Sequence, residues 1–278
     1  MSYGFRAVNN QGTVSVDGDS TTYVYLGKTQ FNPNIPGRQD IYVHCVGYPL
    51  IFFETFHGIG GTQDGNYASL ALRWAVAMTR LRQAPGDPNT WIITMNCNFA
   101  NGPDPNFRLN LRVFGLLHLN YPGGSSEQYG ARAWNAQGQL TFDTGFRHLK
   151  LAGNTYDTEM PISAAMPSGD SGNAIAATDT AVAMPFDMAN KSIMANTRGI
   201  IAMPYQYGAY IDFETNQTVE QWVTMYTDTG FWSNGSTLYA RKFSTYSTTF
   251  NSSGGFNVVS NNQMTYTRVA VIDNNSFP

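Results

Sequence analysis

The residues whose types and spacing could do chemistry are few. The foremost group is Ser168-Gly169-Asp170-Ser171-Gly172-Asn173-Ala174, a glycine-flanked segment whose Ser171 is of a type that becomes a nucleophile when a base activates it. Such a serine needs a histidine base and a carboxylate to orient that base. His44, His57, His118 and His148 all precede Ser171, so the chain order of a triad is available. Gly-Asp-Ser-Gly is equally an ordinary turn composition. The histidines lack His-X-His or His-X3-His spacing, so no metal site is expected; each should be a half-buried strand residue. Cys45 and Cys97 are too few for a disulfide framework or a structural zinc site and should be free, buried thiols. His57-Gly58-Ile59-Gly60-Gly61 lacks the Gly-X-Gly-X-X-Gly pattern ahead of a helix, so no nucleotide site is expected. The sequence therefore assigns no catalytic, cofactor-binding or metal-binding residue.

Whatever these residues do, β-strands must position them. The chain has 278 residues, a length that suits one large or two moderate β-type domains. Charged residues make up 13%, about half the usual share, and the net charge of -3 offers no basic surplus for phosphates, so a nucleic-acid partner is not expected. No apolar run reaches the roughly 18 residues of a membrane span. The N-terminus, Met1-Ser2-Tyr3-Gly4-Phe5-Arg6, has no basic segment leading into an apolar one, so the expected site of synthesis and assembly is the cytosol.

Period-two alternation runs through the chain. Phe107, Leu109, Leu111 and Val113 alternate with Arg108, Asn110 and Arg112, which predicts a half-buried strand. Gly199–Phe213, Leu238–Phe250 and Met264–Asp273 also read as strands, with Pro204 at an edge or bend. Leu70–Thr79 fits both periods, and its surroundings favour strand over helix. Tyr48–Phe56 is strongly apolar and predicts a buried strand; read instead as an interface strand packed on a partner subunit, it would turn Glu54 to that partner or to solvent. Met160-Pro161, Met166-Pro167, Met184-Pro185 and Met203-Pro204 point to a loop-rich region with only short strands from about 153 to 197. Trp222, Trp232, Tyr239 and Tyr246 lie among Asn, Ser and Thr, a composition suited either to core packing or to a binding rim.

The most informative feature is a repeat. Tyr3-Gly4-Phe5-Arg6-Ala7-Val8-Asn9-Asn10-Gln11-Gly12 recurs as Tyr129-Gly130-Ala131-Arg132-Ala133-Trp134-Asn135-Ala136-Gln137-Gly138, and Asp17 aligns with Asp143 without a gap. Each copy reads as a strand, a tight turn needing a positive φ at its glycine, and a second strand. A third strand should complete each unit as a meander: Tyr23-Val24-Tyr25-Leu26 and His148-Leu149-Lys150-Leu151.

This motif resembles a module of tailed-bacteriophage tail-tip, baseplate and tail-fibre proteins, over residues 1–28 and 106–152. Those proteins open with such a hairpin and carry a second copy after a Phe-Gly or Phe-Asp strand end, here Val113-Phe114-Gly115. The resemblance implies a virion protein that joins other tail or baseplate proteins, forms a homotrimer and presents a surface to a host receptor. It implies no catalytic residue. The loop around Ser171 in turn resembles the nucleophile loop of trypsin-like serine proteases, but no histidine has the Ala-Ala-His-Cys context and Asn173 follows Gly172.

The expectation is an all-β protein with little helix, built as two antiparallel sandwich halves, 1–125 and 126–278, each opening with a three-stranded meander. A rival arrangement pairs both repeats inside one pseudo-symmetric sandwich, with 155–278 as an added domain. The expected role is that of a structural component of a phage tail tip or baseplate, located in the virion tail and assembled in the host cytoplasm. A receptor-binding module for a pilus or surface glycan is the alternative, and a serine hydrolase the least favoured.

Overall fold

Because the side-chain period of a strand is two, each alternating stretch acquires an apolar and a second face, and two such sheets bury their apolar faces together. The computed structural model describes residues 6–8, 14–17, 21–33, 37–57, 75–98, 108–118, 121, 131–135, 137–153, 155–161, 180–195, 201–212, 217–252 and 264–278, and all that follows concerns these. They form, in chain order, β1 (Arg6–Val8), β2 (Val14–Asp17), β3 (Tyr23–Phe31), β4 (Gly37–His44), β5 (Leu50–Glu54), β6 (Phe56–His57), β7 (Ala75–Ala84), β8 (Asp87–Asn98) and β9 (Leu109–Leu116). There follow β10 (Arg132–Trp134), β11 (Leu140–Asp143), β12 (Tyr156–Pro161), β13 (Thr180–Ala183), β14 (Lys191–Ala195), β15 (Ile201–Asp212), β16 (Gln217–Asn234), β17 (Thr237–Ser252), β18 (Met264–Asp273) and a single 3-10 turn, Asn274–Ser276.

The protein is all-β, as expected. One sheet has the order β12-β18-β14-β5-β9-β3 and the other β13-β17-β16-β7-β8-β4, with β15 and β6 also on β16. Between them lies one core. Ile51 and Phe53, Leu109, Leu111 and Val113, Ile193, and Val269 and Val271 meet Trp91, Ile93, Met95, Val76, Phe231 and Leu238 of the facing sheet. Alternation sends Phe52, Phe114, Ala270 and Ile272 to the opposite side of the first sheet, where Phe277 covers them.

Residue 125 does not separate the sheets. β3, β5 and β9 hydrogen bond into the same sheet as β12, β14 and β18, while β4, β7 and β8 continue into β16, β17 and β13. Nor is 155–278 an addition to a finished sandwich, since β14 pairs directly with β5 through Ser192–Glu54 and Ile193–Phe53. The alternating pattern reports which residues face inward but not which strand lies alongside.

The repeat keeps its hairpins and loses its meanders. β1 and β2 pair as Arg6–Asp17, Ala7–Val16 and Val8–Val14, with an irregularity between Ala7 and Val8. β10 and β11 pair as Arg132–Asp143, Ala133–Phe142 and Trp134–Leu140, with the same irregularity between Ala133 and Trp134. Each hairpin is a separate two-stranded sheet. The expected third strands pair elsewhere. β3 lies along β9, and His148 forms only an isolated bridge to Val24. The two third segments thus meet each other: Leu149 N donates to the Tyr23 carbonyl and Tyr25 N to the Arg147 carbonyl, both at 2.8 Å.

Other expectations resolve individually. The ambiguous 70–79 segment is strand from Ala75 onward, and 70–74 lie outside the described residues. Pro204 is on β15, which pairs with β16 alone, so it sits on an edge strand. The strand read as half-buried, β9, is buried on both faces, and Arg112 is 4% exposed. Its position between β5 and β3, beneath Phe277, is the reason.

Candidate functional site

Ser171 lies outside the described residues. A serine, a histidine and an aspartate do meet elsewhere. His57 Nδ1 is 3.1 Å from Ser233 Oγ, and His57 Nε2 is 3.7 Å from Asp187 Oδ1. β6 and β16 bring the first two together, because Phe56 and His57 run parallel to Trp232 and Ser233. Ser233 has no exposed surface, lies 3.1 Å from Thr55 Oγ1 and donates to the Phe56 carbonyl at 3.4 Å. A nucleophile must reach its substrate. This group instead ties β6 to β16 and to the turn after β13.

The remaining histidines are dispersed. His44 is exposed on β4, contrary to the half-buried expectation, because β4 is an edge strand whose outward positions meet solvent. His148 Nε2 donates to the Asp143 carbonyl at 2.8 Å, and its ring stacks on Phe142 at 4.5 Å. His118 lies edge-on to Tyr121 beyond the end of β9. Among the described residues, no group of three or more His, Cys, Asp or Glu side chains could hold a metal. Cys45 and Cys97 are free and buried. Burial pushes both thiols up, against a lowering hydrogen bond from Tyr121 at Cys45.

Glu54 is largely enclosed within the chain, its side chain 19% exposed. Its carboxylate accepts from Arg112 Nη1 at 2.9 Å, Asn110 N at 3.0 Å and Asn274 Nδ2 at 3.3 Å. Arg112 also donates to the Phe277 carbonyl at 2.6 Å and to Ser192 Oγ at 3.1 Å. β5, β9, β14 and the C-terminal turn are fastened by this one network, an arrangement that requires every member to be satisfied.

The second hairpin shows why the repeated residue types recur. Asn135 Oδ1 accepts from Gln137 N at 3.0 Å and Gln139 N at 2.9 Å, closing the turn, and Gly138 has φ +76°. Asp143, 1% exposed, accepts from Arg132 Nε at 2.9 Å and Gly145 N at 2.8 Å. Asn135, Gly138, Arg132 and Asp143 are all among the residues that the two copies share. Leu140 and Phe146 then seat the hairpin on Val24, Leu117 and Tyr121. Beside this seat lies an open cleft of about 460 Å³, lined by Val46, Leu116, Leu117, His118, Gln139 and Leu140 among others.

The aromatic rim expected in the last third is not exposed where it is described. Trp232 stacks on Tyr239 at 4.0 Å and 7°, and is 7% exposed. The side chains of Trp222 and Tyr246 lie outside the described ones. The exposed aromatics are Tyr42, Tyr48 and Trp134. Tyr42 was legible in the alternation of Arg38, Asp40, Tyr42 and His44 with Gln39, Ile41 and Val43. Trp134 stands in the repeated motif itself. No family model, no curated protein and no solved structure matches this chain.

Proposed function

We propose that this protein is a structural component of a bacteriophage tail tip or baseplate, placed in the virion tail and assembled in the host cytoplasm. One observation carries the reading: two copies of a hairpin, 126 positions apart, share their register and irregularity, each as a two-stranded sheet of its own. A duplicated, independently closed hairpin gives a scaffold two like contact elements, the economy expected of a joining protein. β3 and β4 are also the terminal strands of their sheets. Threefold packing of copies would cover such edges, which otherwise invite unwanted pairing. The sheets supply rigidity, and the hairpins and loops supply contacts to other tail proteins.

The test uses purified particles. Antibody raised against the recombinant chain should label one end of the tail in electron micrographs, and the protein in solution should have three times the chain mass. Particles that lack the protein would overturn the reading. A second reading, a host-binding module, is favoured by the exposure of Tyr42, Tyr48 and Trp134. It expects the isolated protein to bind host cells.

A further inference from the structure

On the face of the second sheet turned away from the core, at its β4 edge, Arg38 and Asp40 of β4 and Arg80 of β7 are exposed, while Ile92, Thr94 and Asn96 of β8 between them are buried. Ile41, Val43, Trp91, Ile93, Met95 and Leu81 turn into the core. Their neighbours in sequence therefore share the opposite face. Register places them in rows: Tyr42 beside Ile92 beside Arg82, then Asp40 beside Thr94 beside Arg80, then Arg38 beside Asn96. Successive rows are about 7 Å apart.

In a chain with net charge -3, this face gathers Arg38, Arg80 and Arg82 around one carboxylate, Asp40. His44 and Asp87 stand at its far end. Asp40 is already engaged, because Thr94 Oγ1 donates to its Oδ1 at 2.6 Å. Arg82 Nη2 reaches its Oδ2 at 3.3 Å, while Arg82 Nε is buried without a partner. The guanidinium is thus held by one long contact, and re-aiming it would satisfy a stranded donor. Tyr42, two residues along β4 from Asp40, is 63% exposed.

We propose that this face binds an acidic carbohydrate, with a sugar carboxylate on the Arg82 guanidinium and the C–H face of a sugar ring on Tyr42. A planar guanidinium matches a carboxylate two bonds at a time. An exposed tyrosine offers a flat apolar surface with little entropy to lose. Thr94 fixes Asp40, which draws the Arg82 guanidinium toward β4, the strand that carries the tyrosine, and Arg80 adds positive charge one row away. The inference deepens the host-contact part of the proposed function by naming a ligand class.

The experiment is affinity electrophoresis of the full chain in gels containing polygalacturonate or neutral dextran. Polygalacturonate should retard the wild-type protein, dextran should not, and added salt should weaken the retardation. Arg82→Gln and Tyr42→Ala should each raise the apparent dissociation constant at least tenfold while the circular dichroism spectrum stays unchanged. Lys28→Gln, which removes a cation from the other sheet, should leave it unchanged. Three results would overturn the proposal: no retardation of the wild type, equal retardation by dextran, or equal loss in the Lys28 and Arg82 variants. Pure polysaccharide and isolated protein are the only components, so this failure is separate from absence of the protein in particles.

Discussion

Arg112 ties β9 to β5, to β14 and to the C-terminal turn. Arg112→Met would leave the Glu54 carboxylate without its cation and the Phe277 carbonyl without its donor. Removing one member of a buried pair costs about 3–5 kcal/mol. Urea unfolding should show a loss of that size. Cys45 and Cys97 lead to a chemical test. Both are enclosed and their thiols are pushed up, so neither supplies thiolate at neutral pH. A thiol reagent should find no reactive group in the native protein and two after denaturation. Asp273 sets part of the acid sensitivity. The Asn275 backbone amide, and then Lys191, hold its carboxyl below its ordinary value. The stabilisation is complete above the unfolded pKa of about 3.9 and drains away as pH falls through the lower folded value. Asp273→Asn should therefore flatten the dependence of melting temperature on pH below about 4. A parallel pair of curves in that range would contradict this.

Two glycines decide whether their elements close. Gly138 has φ +76° with open space around its Cα, so a substitution there meets strain rather than collision. Gly138→Val should cost about 1–3 kcal/mol, and Gly138→Asn less, because Asn tolerates that conformation; comparison of their melting temperatures checks both. Gly115 is the opposite case. A Cβ there would come within 2.6 Å of Tyr121 Oη and 2.8 Å of both Cys45 Sγ and Leu26 Cδ1. The Phe-Gly strand end noticed in the sequence is a packing requirement at the seat of the second hairpin. Element by element, the sequence was legible where the pattern is local. Met264–Asp273 appears with the expected bounds, and Leu238–Phe250 lies within β17. The apolar run after Tyr48 is β5 and β6. The turn residues of the hairpin were readable because Asn, Gly and Asp satisfy backbone groups a few residues away. The third strands were not readable, since Tyr23–Leu26 finds its partners at Val113–Leu116 and Arg147–Leu149. Ser233, His57 and Asp187 were likewise invisible as a group, being joined by a parallel pairing that no local spacing announces.

At the scale of the molecule, both sheets take strands from either side of residue 125. Fragments 1–125 and 126–278 should each lack dispersed amide resonances when made alone, and coexpression should restore a folded spectrum. Two independently folded fragments would contradict the hydrogen-bonding order. The position of β18 between β12 and β14 carries a further consequence. On a ribosome, Phe52 and Phe53 emerge more than two hundred residues before Val269–Ile272, which complete the same sheet and its two cores. Through most of synthesis the growing polypeptide must keep half a sandwich apolar and uncovered, so its yield in a cell should depend on chaperone supply and on slow translation at lowered temperature.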